Sequence, residues 1–234
     1  MSQLLQEDVE LFRPIFIENL KRFKDEQIIK ILCGVRRCGK STILESYKNE
    51  LLSLGVKSCN IIQRLYTSLE FDSDFDYRKM YHELMALIEN AEKSQKIYLL
   101  LDEVQEVENW EKCINSLFEN QNVDIYVTGS NSKLLSSEIS TYLTGRFIQI
   151  PIFTLSFAEF IDFKNHYFPK NPNSSLDYYF DLYLKTGGFP FLAKTNHSQE
   201  ENYQIVEGIF STVVTRDISK RHNISNLEMF NRVV

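Results

Sequence analysis

Ile28-Ile29-Lys30-Ile31-Leu32-Cys33-Gly34-Val35-Arg36-Arg37-Cys38-Gly39-Lys40-Ser41-Thr42 is the stretch on which the reading of this sequence turns. It opens with Ile28, Ile29, Ile31 and Leu32, a compact β-branched run that ends at Gly34. A short apolar run of this kind predicts a strand buried on both faces, as in a parallel sheet. Downstream, Ile43, Leu44, Tyr47, Leu51 and Leu54 share one helical face, so Ser41 to Leu54 predicts a helix with Gly55 as its stop. Between strand and helix, Gly34 to Ser41 fits G-x-x-x-x-G-K-[ST]. In a loop of this pattern the backbone N–H groups turn inward around phosphate, glycines permit the close approach, and the helix start adds a favourable dipole. Lys40 is expected to bridge the β- and γ-phosphates of ATP, and the Ser41 hydroxyl to ligate Mg²⁺. Nucleotide contacts are expected along Gly34, Val35, Arg36, Arg37, Cys38, Gly39, Lys40, Ser41 and Thr42. Arg36 and Arg37 either touch phosphate or are simply solvated.

The same strand–turn–helix order continues in both directions. Pro14 interrupts the N-terminal apolar pattern, and a helix is predicted near Ile17 to Phe23. Cys59 to Phe71 is rich in extended, β-prone residues. Tyr77, Met80, Tyr81, Leu84, Leu87, Ile88 and Ala91 keep helical register over Tyr77 to Ala91. Ile97 to Leu101 is a five-residue apolar run closed by Asp102-Glu103. Asn109 can cap a helix bearing Trp110, Cys113, Ile114, Leu117 and Phe118. Val123 to Val127 and Phe147 to Phe153 read as further strands. Alternating strands and helices predict a three-layer α/β domain with a mainly parallel sheet over residues 1–155. Beyond it, Ser156 to Phe163, Asp177 to Lys185 and Glu200 to Ile218 predict a helical region over 156–234. Leu227, Phe230 and Val233 hold helical spacing to the last residue, which predicts a chain that stops within an element.

Two further strand tips carry candidate chemistry. A buried strand that delivers Asp102 and Glu103 at its C-terminal end places acids where parallel sheets bind ligands. Asp102 is expected to hold Mg²⁺, and Glu103 to orient or deprotonate the attacking water, work worth about 10²–10⁴ in rate. Taken alone, the pair could equally begin a solvated loop. Thr128-Gly129-Ser130-Asn131 follows the strand Val123 to Val127. Ser130 or Asn131 could contact the γ-phosphate and the water, against the plainer reading of a turn. Arg146, after Gly145, could reach phosphate within its own chain or from a neighbour, or be an ordinary surface arginine.

Composition limits the remaining classes. The 234 residues are 43% apolar and 25% charged, a globular balance with room for one sizeable core. No stretch approaches the roughly 20 apolar residues of a membrane span. The acidic N-terminus is not a secretory signal. Cys33, Cys38, Cys59 and Cys113 form no CxxC pair and have no histidine cluster beside them, which argues against zinc and suits a reducing, cytoplasmic setting. Cys33 and Cys59 are expected as buried thiols. A net charge of −6 argues against a dedicated nucleic-acid module. The basic run Arg216, Lys220, Arg221 and His222 reads as a solvated helix face before a nucleic-acid contact.

The segment Gly34 to Thr42 resembles the P-loop of a prokaryotic AAA+-like ATPase family that joins the ATPase to a C-terminal domain of unknown function. Leu101-Asp102-Glu103-Val104-Gln105, Trp110-Glu111, Thr128 to Ser132 and Gly145-Arg146 are similar to further motifs of that family. So are Leu155 to Phe160 and Gly187-Gly188-Phe189-Pro190. The resemblance runs from about residue 12 through nearly the whole chain, with its blocks in order. It implies an additional-strand catalytic-Glu fold, with another strand between the P-loop strand and the Walker B strand. It places Lys40 and Ser41 on Walker A, Asp102 and Glu103 on Walker B, Ser130 or Asn131 on a sensor position, and Arg146 on the Gly-Arg motif. Thr154 stands where the family commonly has proline. The family continues for another domain's length, so a winged-helix and effector region is expected to be largely missing.

These readings converge on Mg-dependent ATP binding and hydrolysis that drives a conformational switch. The alternative is a nucleotide-gated signalling or DNA-associated binding module with little hydrolysis by itself. A small-molecule kinase fits less well, since no arginine-rich lid follows the last strands. The expected partner is ATP. A protein partner is open, nucleic acid has only the weak basic run to support it, and no membrane partner is expected.

Overall fold

The computed structural model describes residues 13–67, 74–130, 143, 145–169 and 175–213. All six residues of Ile29–Gly34 (β1) are buried. Ile29, Ile31 and Cys33 join one apolar cluster and Leu32 the other, so the strand is covered on both faces. A strand in that position is mostly β-branched and aliphatic rather than alternating with polar residues, and its one charged residue, Lys30, is buried with an acid beside it.

The other elements follow in order: α1 (Pro14–Arg22), α2 (Lys40–Ser53), β2 (Ile61–Leu65), α3 (Tyr77–Asn90), β3 (Ile97–Asp102), α4 (Trp110–Asn120), β4 (Val123–Ser130) and β5 (Phe147–Pro151). The five strands form one sheet in the order β2-β3-β4-β1-β5. Every neighbouring pair is parallel. β4 separates β1 from β3, as the resemblance implied, and the three-layer P-loop fold is the one observed. One face packs Met80, Leu84 and Ile88 of α3 and Trp110, Ile114 and Leu117 of α4 against the sheet. The other packs Phe16, Ile17 and Leu20 of α1 and Ile43, Leu44, Tyr47 and Leu51 of α2. Each fully buried leucine or isoleucine contributes about 1.5–3 kcal/mol.

Beyond the sheet lie α5 (Phe157–Tyr167), α6 (Leu176–Thr186), α7 (Pro190–Lys194) and α8 (Gln199–Thr212). Leu155, Phe160, Phe163 and Ala193 make a smaller third cluster. Ser156 and Glu159 form a reciprocal capping box that starts α5, and Ser198 and Glu201 repeat it at α8. Among the described residues, no helix is long and apolar enough to cross a membrane.

Several expectations need adjustment. Pro14 does not break the first helix. It occupies the first helical turn, where its missing N–H costs nothing, and α1 begins there rather than at Ile17. The strand expected within Cys59 to Phe71 is confined to Ile61–Leu65, after a 3₁₀ turn at Ser58–Asn60, and residues 68–73 lie outside the described set. That turn leaves Cys59 exposed, not buried, whereas Cys33, Cys38 and Cys113 are buried free thiols. Asn109 does precede α4, but its side chain caps nothing there; its backbone is left-handed and its Oδ1 accepts from Lys112 Nζ at 2.7 Å. The last strand ends at Pro151, short of Phe153. The last described helix ends at Thr212, so Arg216, Lys220, Arg221 and His222 fall outside the described residues, as do Leu227, Phe230 and Val233.

Candidate functional site

Parallel pairing fixes which strand ends meet. Cys33 lies opposite Gly129 and Gly34 opposite Ser130, while Leu101 lies opposite Val127. The glycine loop, the Asp102-Glu103 end of β3 and the end of β4 therefore share the C-terminal edge of the sheet. Strands sit about 4.8 Å apart, so the β3 acids are roughly 10 Å across from β1.

The loop's geometry follows from its glycines. A Cβ on Gly34 would collide with the Ile152 carbonyl oxygen and lie 2.7 Å from Cys38 Sγ, so no larger residue fits the turn. Arg37 has a left-handed backbone at φ 63°, and Gly39 follows at φ 102° as the residue before α2. Gly39 has no side chain to cap the helix, so the N–H groups opening α2 are presented to whatever anion enters the loop. Lys40 is 4% exposed and donates to the carbonyls of Gly34 at 3.1 Å and Val35 at 3.2 Å. Ser41 is exposed and Thr42 half-buried at the helix start. Val35 and Arg37 face outward, Arg36 is half-buried, and Cys38 is fully buried beneath the loop.

At the β3 end, Asp102 is 6% exposed and accepts a hydrogen bond from the Thr128 hydroxyl. The same hydroxyl accepts from the Glu103 backbone N–H at 3.1 Å. Thr128 thus ties the Asp102 carboxylate and the Glu103 backbone, at the end of β3, to β4. Glu103 is half-buried with a left-handed backbone at φ 54°, and its carboxylate accepts from the Gln105 side-chain amide. Ser41 and Asp102 offer a hydroxyl and a carboxylate oxygen at one edge of the sheet, hard donors of the kind Mg²⁺ takes. β4 runs three residues past the expected end at Val127, so Thr128 and Ser130 belong to the strand and the backbone of Ser130 stands beside Gly34. Asn131 lies outside the described residues.

Arg146 is not brought to this edge. It precedes β5, and its carbonyl accepts from the N–H of Ile29 at the start of β1. Five residue steps along β1 take that row to Gly34, roughly 17 Å along the strand. Its guanidinium donates to Asn115 Oδ1 at 2.6 Å and pairs with Glu119 at the end of α4. Contact with phosphate within its own chain is therefore excluded in this arrangement. Of the three readings open for Arg146, the surface position and the reach to a neighbour remain, because a Gly-Arg pair before a strand does not reveal which edge of the sheet it occupies.

Four residues at the site had no role assigned from the sequence. Thr128 and Gln105 sit within quoted motifs and hold Asp102 and Glu103. Pro190 faces the loop, its Cγ 3.8 Å from where a Cβ of Gly39 would stand. Arg13 is 5% exposed and reaches the Cys38 carbonyl at 3.3 Å. A cavity of about 620 Å³ opens beside it, lined in part by Pro14, Phe153, Leu155, Glu159 and Tyr183, and no residue of Gly34 to Thr42 lines it.

Known proteins bear on this arrangement in three ways. Residues 26–161 match the AAA domain, a span that includes the loop, both β3 acids and the whole sheet. An uncharacterized protein of Haemophilus influenzae is 36% identical over 225 residues, 95% of this chain and 54% of that protein. The protein MJ1544 of Methanocaldococcus jannaschii is 28% identical, covering 93% of this chain and 51% of its own length. The chain thus spans about half the length of these curated relatives. Among solved structures, the Walker-type ATPase paby2304 of Pyrococcus abyssi superposes with a TM-score of 0.62 at 15% identity, covering 92% of this chain and 77% of that one. AMPPCP-bound DnaA from Aquifex aeolicus gives 0.50, also at 15%, covering 89% and 62%. These structural likenesses concern the fold. On the matched domain, the chain belongs to the AAA domain family.

Proposed function

We propose that this chain binds Mg-ATP at the Gly34 to Thr42 loop and hydrolyses it, and that the cycle moves the helical region beginning at residue 156. The observation that carries the reading is the shared edge: a glycine loop with a buried lysine, and the Asp102 carboxylate and Glu103 backbone tied to β4 by Thr128. Lys40 would leave the carbonyls of Gly34 and Val35 for the β- and γ-phosphates, joined by the N–H groups at the start of α2. Ser41 and Asp102 would hold Mg²⁺, which when bound neutralises phosphate charge as a Lewis acid. Glu103 would orient and deprotonate the attacking water, with Ser130 or Asn131 at the γ-phosphate. Positioning and electrostatics supply most of the rate in such a site. Arg146 would take part only by reaching a neighbouring molecule.

Support for a second reading, a nucleotide-gated module with little hydrolysis, comes from the Gln105 amide on the Glu103 carboxylate. One experiment separates the two. ATP affinity and phosphate release are measured for the unmodified chain, Lys40→Ala and Glu103→Gln. We expect Lys40→Ala to lose at least about 100-fold in affinity, and Glu103→Gln to bind normally while losing about 10²–10⁴ in turnover. Unchanged affinity in Lys40→Ala would sink the site. Binding without release in the unmodified chain would favour the gated module, and a cytoplasmic protein partner would then be the place to look for an output.

A further inference from the structure

Arg13 stands outside the loop and the β3 acids, yet its five N–H groups make five hydrogen bonds to three segments of the chain. Nη1 donates to the Cys38 carbonyl at 3.3 Å and the Phe153 carbonyl at 2.9 Å. Nη2 donates to the Thr154 carbonyl at 3.2 Å and Glu159 Oε2 at 3.1 Å, and Nε to Glu159 Oε1 at 2.8 Å. A guanidinium has five donors in a rigid fork, so this one is fully used. Glu159 is shared: its Oε2 also accepts from the Ser156 N–H at 2.8 Å and hydroxyl at 2.9 Å in the capping box of α5. One buried side chain therefore joins the phosphate loop, the link after β5, and the first turn of α5.

The Cys38 contact matters because of peptide geometry. The Cys38 C=O and the Gly39 N–H belong to one planar trans unit and point in opposite directions. In a loop of this pattern the N–H side faces the anion. A cationic donor on the carbonyl fixes the orientation of that unit and polarises the N–H opposite, since hydrogen bonds in a chain strengthen one another. The neighbouring residue carries a second link. Gly39 faces Pro190 of α7, and the turn before Pro190 is docked on the same β5–α5 link. Leu155 N–H donates to the Gly188 carbonyl at 2.6 Å, and Tyr183 OH to the Leu155 carbonyl at 2.8 Å.

We propose that Arg13 is the positioning residue through which occupancy of the phosphate loop reaches the helical region, by way of the Cys38–Gly39 peptide on one side and Glu159 on the other. This rests on ATP binding at the loop and adds the route by which it is felt. Phosphate drawing on the Gly39 N–H strengthens the Arg13 bond to the Cys38 carbonyl and tightens the link to α5.

The test is hydrogen exchange on the full chain with and without saturating Mg-ATP, for the unmodified protein, Arg13→Lys and Glu159→Gln. In the unmodified protein we expect ATP to slow exchange in the loop and also in Phe157–Tyr167 and Pro190–Lys194. Arg13→Lys replaces a fork by a point charge. It should weaken ATP about tenfold, a change of about 1.4 kcal/mol, and keep loop protection while losing more than half of the protection in the helices. Glu159→Gln retains the capping box, in which glutamine serves as well, and removes the ion pair. It should keep ATP affinity within about threefold and lose the helix protection likewise, a change that a purely structural role would not produce. Should Arg13→Lys fail to fold, Glu159→Gln decides. Full helix protection in the folded variants, or ATP protection confined to the loop in the unmodified chain, overturns the inference. Absence of any ATP binding in the unmodified chain would instead remove the hydrolysis reading beneath it.

Discussion

Lys30 and Lys40 stand at the two ends of β1 and its loop, both buried, and their partners could hardly differ more. Lys30 is 0% exposed and pairs with Asp124 at 2.6 Å. Asp124 also accepts from the Asp25 N–H at 2.8 Å and the Tyr126 hydroxyl at 2.9 Å, and Tyr126 OH lies 2.8 Å from Tyr47 OH. Burial lowers the Lys30 pKa, with the carboxylate of Asp124 opposing that shift. Lys40, by contrast, rests on two backbone carbonyls of its own loop, and among the described residues no carboxylate pairs with it. A lysine whose charge is already neutralised by a buried acid is part of the structure. One held only by loop carbonyls can exchange them for an anion. The two ends of one sheet thus separate what keeps the fold from what it offers a ligand.

The largest expected effect tests the first half of that contrast. Lys30→Met leaves Asp124 buried without its counter-ion, and breaking such a pair typically costs 3–5 kcal/mol. We expect that loss in urea unfolding, with ATP affinity unchanged in the protein that remains folded. A large loss of affinity at native temperature would mean the two ends are coupled, and the contrast would fail.

Lys164 offers a third environment, a buried amine that among the described residues has no acid beside it. It is 5% exposed and donates to the carbonyls of Leu192 at 3.3 Å and Thr195 at 2.7 Å, and burial pushes its pKa down to about 8. Below that value the native and unfolded states both carry the charge, so the native state bears the full desolvation cost. Between about 8 and the ordinary 10.5 the native state binds fewer protons, so stability rises with pH. Relative to Lys164→Met, the unmodified chain should gain on the order of 3 kcal/mol across that window in denaturant titrations at stepped pH. A flat difference between the two proteins would show that the carbonyls fully compensate the burial.

These three lysines also mark what the sequence could disclose. Lys40 was legible because G-x-x-x-x-G-K-S fixes its backbone neighbours locally, and the parallel strands were legible because Ile97 to Leu101 and the group Ile28, Ile29, Ile31 and Leu32 put apolar residues on both faces. Lys30 was not, because its partner Asp124 is 94 positions away and meets it only once β1 and β4 align. Arg13 and Glu159 are hidden for the same reason at a separation of 146. Thr128 was read only as part of a strand tip, since its partner Asp102 lies on another strand. Cys59 is exposed where its sequence neighbourhood predicts burial, because an apolar neighbourhood says nothing about a 3₁₀ turn that swings one residue outward. Local chemistry was readable and long-range pairing was not.

A smaller effect sharpens the ligand end. Thr128→Val keeps the shape of the side chain but removes the donor to Asp102 and the acceptor for the Glu103 N–H. Losing those bonds should lower phosphate release at saturating Mg-ATP by about 10–100-fold, or roughly 1.4–2.7 kcal/mol. ATP affinity measured without Mg²⁺ should stay within about twofold. If turnover holds, the hydroxyl is only a strand-to-strand tie and the acids are placed by their backbone alone.

The smallest effect belongs to Arg146, at the Lys30 end of the sheet. Its pair with Glu119 is substantially exposed, with 40% and 46% of the two side chains accessible. Exposed pairs of this kind are worth about 0–1 kcal/mol because water screens them and two long side chains must be held in place. Arg146→Ala should therefore shift stability by less than about 1 kcal/mol and leave ATP affinity of the isolated chain unaltered. The informative measurement is turnover across a range of protein concentration. If turnover per chain is constant and equal in both proteins, Arg146 belongs wholly to the structural end. If turnover of the unmodified chain climbs with concentration and that of Arg146→Ala does not, the arginine is completing a neighbour's site. The division between the two ends would then hold within one chain but not between chains, because the base of one sheet would be serving the edge of the next.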